Sequence, residues 1–328
     1  MTRRRHVVQS AAVAALAALA PPIAWSQRLA RTNVVVGFAP GGTTDVVARR
    51  IADKLGATGF AAAGIVDNRS GAGGQIACSY VKNAPADGSA LLCTPYSCMV
   101  IYPFVYKKLA YDPATDFVPV SIAAATTQAM AVGPLVPATV KTVAQYLDWV
   151  RANPQYASYG SPAPGSTSHF LGALLGMGAN LPLVQVPYRG AAPGLADLIA
   201  GQIPVMFTTT GDMLPLLQAG KLRLLATSGR TRSPFAPDVA TFTEQGLGRL
   251  VSEEWFGFYA PANTPAAVVK AANAAVIEAV NDRAVVDAFA GMGLTTVGST
   301  PEAMAQSQKA ESERWGPLVK AIGFTADS

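Results

Sequence analysis

Histidine and cysteine are nearly missing from this chain, which has two of the first and three of the second in 328 residues, and charged side chains make up only 14%. Cys78, Cys93 and Cys98 form no CxxC pair, and His169, the single interior histidine, does not complete a structural zinc site with them. No metal is expected. An odd cysteine count does not make a disulfide scaffold either. Free buried thiols are the default expectation, and a local bridge between Cys93 and Cys98, which flank TPYS, is the alternative. No interior basic run lies beside an aromatic array, so nucleic acid is excluded as a partner. Neither GxxxxGK[ST] nor GxGxxG marks a nucleotide loop, no GxSxG marks a hydrolase elbow, and no cofactor is expected. Thirty glycines and 24 prolines stay below the share that signals disorder and follow no strict period.

What the chain does contain is apolar sequence, 50% of its residues. That is enough to bury large cores, and the length favours two lobes over one.

The first residues read as an export signal. MTRRRH is a basic start, VVQSAAVAALAALA is apolar but shorter than the roughly 20 residues that cross a bilayer, and Ala24-Trp25-Ser26 offers small residues for cleavage before Gln27. Removal of residues 1–26 leaves 302 residues and takes away Arg3, Arg4 and Arg5, so the formal charge falls from +5 to +2. Adjacent arginines also suit the twin-arginine route, although His6 and Val7 depart from that motif.

From Asn33 onward the chain alternates short strands and helices. Val34 to Phe38 reads as a buried strand, and after APGG the segment TTDVVARRIADKLG places Val47, Ala48, Ile51, Ala52 and Leu55 on one stripe. Ile65-Val66 and SALLCT read as further strands, with a helix over Ile76 to Lys82 between them. The same grammar restarts after the apolar run SIAAATTQAMAVG, through TVAQYLDWVRANP, YASYGSP and LVQVPYRG to PVMFTTT. WFGFYAPANTP then returns the chain to the first lobe, and two helical segments follow. The expected organisation is a signal peptide at 1–26, the first lobe at 27–125, the second at 126–248 and a return to the first at 249–328, in a doubly wound α/β chain.

Two loops stand out as chemistry. Pro40-Gly41-Gly42 joins a strand to a helix, where glycines allow a tight turn and the incoming helix adds backbone N–H groups and the positive end of its dipole. A carboxylate or phosphate could sit there, and a plain turn with Thr44 or Asp45 as a cap is the structural alternative. Ser161 to His169 is the second, with hydroxyls and amides ahead of an apolar helix. There His169 is either a ligand contact or a loop-fixing residue. Ser166 and His169 could suggest a hydrolase, but no acid and no oxyanion pocket complete the set. Phe38, Tyr96, Phe170, Tyr188 and Phe207 lie near these elements, either as core or as cleft walls.

Taken together, VVVGFAPGGTTDVVARRIADKLG, VDNRSGAGGQIACSYVKNAPADGSALL, YGSPAPGSTSHFLGALL, VPYRGAAPGLADLIAGQIPVMF and RLLATSGRTRSPFAPDVATFTEQG resemble successive signatures of the extracytoplasmic solute receptors of tripartite tricarboxylate transporters, the Bug receptors. The resemblance spans nearly the whole chain after its signal. It implies an α/β, two-lobed periplasmic binding protein fold with an interlobe ligand cleft, a small organic carboxylate as ligand, membrane transporter subunits as partners, a periplasmic location and no catalytic turnover. The implied binding set is Phe38, Pro40, Gly41, Gly42, Thr43 and Asp45 from the first lobe and Ser161, Gly165, Ser166, His169, Tyr188 and Arg189 from the second. Thr43 replaces a glycine frequent in the family's PGGG form, and Pro162 replaces a more open turn. An exported carboxylate sensor and, less in keeping with the motifs, a serine hydrolase are the alternative functions.

Overall fold

A computed structural model describes residues 29–188 and 190–326. The expected signal segment, 1–26, and Arg189 lie outside the described residues.

The first βαβαβ run comprises β1 (Thr32–Val36), α1 (Thr43–Leu55), β2 (Gly64–Asn68), α2 (Gln75–Lys82) and β3 (Ala90–Pro95). All three strands are parallel, with β1 between β2 and β3. Short helices α3 (Tyr96–Val100) and α4 (Tyr102–Val105) follow. Then comes β4 (Phe117–Val132), whose 16 residues span roughly 50 Å at the usual strand rise.

After α5 (Val143–Ala152) the arrangement repeats in β5 (Ser158–Ser161), α6 (Thr167–Gly178), β6 (Val184–Pro187), α7 (Ala191–Ile199) and β7 (Val205–Thr209). Here β5 lies between β6 and β7, again parallel to both. Helix α8 (Thr210–Gln218) and strand β8 (Arg223–Thr227) lead to β9 (Glu253–Pro261), and α9 (Ala266–Asn281), α10 (Arg283–Ala290), β10 (Thr295–Thr296) and α11 (Pro301–Ile322) complete the chain.

The strands join in the order β2-β1-β3-β9-β4-β7-β5-β6, with β8 and β10 also on β4. Each half therefore carries a middle strand flanked by its two successors, and a strand from the far end of the chain or the preceding segment closes it. Strand β4 holds the halves together: Phe117 to Thr127 pair with β9, whereas Gln128 to Val132 pair with β7. This is a two-lobed α/β periplasmic binding protein fold. Among the described residues no helix is long and apolar enough to cross a membrane.

Alternation along the strands sorts the cores. Val34, Val36, Leu91 and Cys93 face one core with Val47, Ala48, Ile51, Ala52 and Leu55, the stripe expected on α1. Val35 and Leu92 face the opposite side and join Met130, Val132, Phe207, Phe170 and Trp315 in a core shared by both lobes. Ala129 and Ala131 point away from it, toward Leu195, Leu198 and Met206. The period of two explains why strands buried on both faces are apolar almost throughout.

Candidate functional site

In an open parallel sheet, the crevice outside the carboxyl ends of the strands falls where successive connections leave in opposite directions. In this chain those points are β1 and β5, the middle strands of the two lobes. The loops that follow them are the two glycine loops singled out in the sequence, and they are built alike. Gly41 (φ +86°) precedes Gly42, the N-cap of α1, and Gly165 (φ +74°) precedes Ser166, the N-cap of α6. Glycine is required at both turns because the left-handed region is costly for other residues.

On the first lobe, Pro40, Gly41 and Gly42 are exposed and Phe38 and Thr43 are half-buried. Gly42 supplies no capping side chain, so the opening N–H groups of α1 are left for solvent or a ligand. Asp45 is turned inward, only 1% exposed. Its Oδ2 accepts from the Gly41 N–H at 2.9 Å and from Arg49 Nε at 2.8 Å, and its Oδ1 accepts from Asn68 Nδ2 at 2.8 Å. Burial works to raise the Asp45 carboxyl, but Arg49, the Gly41 amide and Asn68 together hold it below the usual carboxylate value. Asn68 also donates to the Phe38 carbonyl at 3.1 Å, so β2 fixes the loop from beneath.

The second-lobe loop is satisfied more completely from within. Ser166 Oγ accepts the His169 N–H as a helix cap and donates to the Ala163 carbonyl at 2.7 Å. His169 Nδ1 accepts the Gly165 N–H at 3.0 Å, while the ring lies edge-on to Phe324, with centroids 4.7 Å apart. Burial pushes the imidazole down to about 4, so at neutral pH it is an uncharged acceptor at Nδ1. These bonds place no nucleophile–base contact between Ser166 and His169. Ser161 is fully buried and accepts from Gln185 Nε2 at 2.7 Å. Tyr188 donates its N–H to the Ser161 carbonyl and its hydroxyl to Asp197 Oδ2, and Gly190 donates to the Pro162 carbonyl. The VPYRG turn thus braces the loop.

The two clusters meet through the segment after β3. A Cβ on Gly74 would lie 3.1 Å from the Phe38 ring and 3.3 Å from the Cys98 sulfur. Within α3, the Tyr96 hydroxyl accepts from Thr167 Oγ1 at 3.3 Å and bonds Ser252 Oγ at the same distance. Tyr96, Phe170 and Phe207 are fully buried, so of the five aromatics near the loops only Phe38 and Tyr188 keep exposed surface.

A second polar line, not read from the sequence, runs beneath the loops. Gln128 on β4 accepts from Ser168 Oγ at 2.7 Å and donates to Glu254 Oε2 on β9 at 2.6 Å. The available signal was a lone glutamine inside an apolar strand and a glutamate against WFGF, each of which needs a partner once buried.

Comparison with known proteins places these features in a group. The sequence profile described as "Tripartite tricarboxylate transporter family receptor" matches residues 38–324. Protein BugT of Bordetella pertussis is 30% identical over 315 residues, 94% of this chain and 94% of that protein. A solved structure titled "R. palustris Rpa4515 with adipate" shares 33% identity at a TM-score of 0.81, covering 92% of this chain and 99% of the other. MatC (Rpa3494) from Rhodopseudomonas palustris with bound malate shares 30% identity at 0.77, covering 88% and 99%. With its paired glycine-led helix starts and a family match over most of its length, the chain belongs to the tripartite tricarboxylate transporter receptor family, whose members are periplasmic solute-binding receptors of the Bug type.

Proposed function

We propose that this protein binds a small organic carboxylate between its lobes and delivers it to the membrane subunits of a tripartite tricarboxylate-type transporter. The observation that carries the reading is the equivalence of the two loops: each follows the middle strand of its sheet and turns through a left-handed glycine into a helix N-terminus. Such starts attract an anion through N–H groups and dipole without a basic side chain. Solved relatives with adipate and malate bound support a carboxylate as the anion.

The lobes divide as 27–125 with 249–328, and 126–248, in keeping with the change of β4 partners between Thr127 and Gln128. Residues 1–26 direct export to the periplasm. In the site, Thr43 at the start of α1 presents a backbone donor, Pro40, Gly41 and Gly42 shape the turn that aims it, Phe38 and Tyr188 form walls, and Gly165 and Ser166 frame the opposite side, with Ser161 buried beneath them. Asp45 and His169 act by holding their loops in shape: Asp45 takes the Gly41 amide together with Arg49 and Asn68, and His169 Nδ1 takes the Gly165 amide. Closure replaces the ligand's hydration shell with these groups and presents a changed surface to the transporter.

Calorimetry of the purified protein against aliphatic, aromatic and hydroxylated mono- and dicarboxylates tests this. Saturable binding of one class without chemical conversion is expected. Turnover abolished by Ser166→Ala would replace the receptor reading with an enzyme.

A further inference from the structure

Helix α2 is inverted at its start. Its inward residues are Gln75, Ala77, Cys78 and Val81, and the last three join the core shared by the lobes. Ile76, the residue after the glutamine, is instead 49% exposed. Gln75 itself is only 6% exposed, and its Nε2 has no hydrogen-bond partner among the described residues. Burial raises the Tyr106 hydroxyl and the Gln75 amide opposes that rise, yet no hydrogen bond closes between them. A buried donor of this kind costs free energy until something accepts from it.

Topology sets the place of this amide. Strands β1, β2 and β3 are parallel, so the turns that leave them share the carboxyl edge of the first-lobe sheet, where the crevice forms. The turn after β2 runs through Gly71 to Gly74 and brings Gln75 against the first glycine loop. A Cβ on Gly37 would stand 2.5 Å from the Gly74 Cα, and one on Gly74 would stand 3.1 Å from the Phe38 ring. From the other side, Tyr102 donates to the Gly73 carbonyl at 3.0 Å, and a Cβ on Gly165 would lie 3.3 Å from Val105. Helix α4 therefore touches both the α2 turn and the glycine loop of the second lobe. Gly74 offers no capping side chain, so the opening amides of α2, like those of α1, are left at that edge.

We propose that Gln75 is a specificity-determining residue of the carboxylate site, donating from Nε2 to a second carboxylate of the ligand, so that a dicarboxylate is taken in preference to the matched monocarboxylate. The inference rests on the carboxylate reading of the two glycine loops. With the first carboxylate held there, the second meets the α2 start, where the amide and the helix dipole act together. A monocarboxylate would leave Nε2 unmet beneath its apolar tail, the asymmetry by which a built donor rejects an analogue lacking the acceptor.

The test is calorimetry of the full chain with adipate against hexanoate and succinate against butyrate, on native, Gln75→Leu and Gln75→Glu proteins, together with thermal melting of each free protein. The native chain should favour the dicarboxylate of at least one pair by about tenfold. Gln75→Leu should remove most of that ratio while melting no lower, because leucine continues the apolar stripe and removes an unmet donor. Gln75→Glu sets a carboxylate against the second carboxylate and should reduce the ratio as well. A ratio unmoved by Gln75→Leu, an equal loss for both members of a pair, or binding of the monocarboxylates alone overturns the proposal and leaves the receptor reading standing. A drop in melting temperature with the ratio intact does the same and makes Gln75 a structural partner of Tyr106. If no carboxylate binds at all, the receptor reading itself falls, and the role of Gln75 falls with it.

Discussion

Gln128 and Glu254 join the two strands that cross between the lobes: the Gln128 amide donates to the Glu254 carboxyl at 2.6 Å, while its oxygen takes the Ser168 hydroxyl at the start of α6. Burial, and then the negative charge of Asp212, push the Glu254 carboxyl up to about 7, against the opposing pull of the Gln128 bond. The unfolded chain releases this proton near the ordinary glutamate value of 4.5. Between those values the native state holds a proton that the unfolded state has lost, so stability falls as pH rises through the window and levels off above it. At about 1.4 kcal/mol per unit, the drop is at most about 3.5 kcal/mol. Glu254→Gln should flatten this limb. Urea midpoints below, within and above the window check it, and an unchanged slope in the variant would remove Glu254 as its source.

Asp45 makes a different prediction because its acceptors are fully used. Asp45→Ala frees the Gly41 amide and leaves Arg49 and Asn68 without their shared partner, at a cost of about 1–3 kcal/mol. Carboxylate affinity should fall about tenfold as the loop loosens. Asp45→Asn, which keeps one oxygen acceptor, should lie between the two. The native carboxyl is held below 3.8, so the stability it supplies is present above that value and is lost as pH falls through its lower native value. Thermal shift and calorimetry on the three proteins decide it, and full affinity in Asp45→Ala would show that the loop holds its shape unaided.

Two glycines separate strain from crowding. Gly41 has φ +86° and open space where a Cβ would stand, so Gly41→Ala should cost only the left-handed strain, about 1–2 kcal/mol. Gly74 has φ +98°, and a Cβ there meets the Phe38 ring and the Cys98 sulfur as well. Gly74→Ala should therefore destabilise more than Gly41→Ala in matched urea titrations. Equal losses would mean that Phe38 gives way freely.

Local features of this fold were legible because their causes are local. The stripe on α1 and the strand before it follow from spacing, and both left-handed turns fall on glycines that already marked loops. Strand β4 was visible only as an apolar run. Its role as the shared strand depends on pairing with β9, more than a hundred residues later in the chain, and no spacing within SIAAATTQAMAVG encodes that partner. The same holds for Gln128, which joins Ser168 and Glu254 from sequence separations of 40 and 126 residues. The default of free buried thiols holds for all three cysteines, and the alternative bridge fails because strand alternation sends Cys93 to the core opposite Cys98, which proximity in sequence does not show.

His169 gives the sharpest separation of ligand contact from loop support. Its ring is buried and uncharged, with a pKa lowered to about 4, so it offers a carboxylate no positive charge at neutral pH. The unfolded histidine gains a proton below about 6.5 while the native ring does not until about 4, so this residue makes stability fall as pH drops across that interval. His169→Asn can still offer an oxygen to the Gly165 N–H, whereas His169→Ala removes both that acceptor and the packing on Phe324. The alanine variant should lose about 2–3 kcal/mol of stability and about tenfold in carboxylate affinity, with the asparagine variant recovering part of each. For the native protein the histidine should add no step to affinity between pH 5 and 8. A rise in affinity on acidification through 6.5 that vanishes in His169→Asn would make the imidazolium a direct ligand contact and overturn its role as a brace.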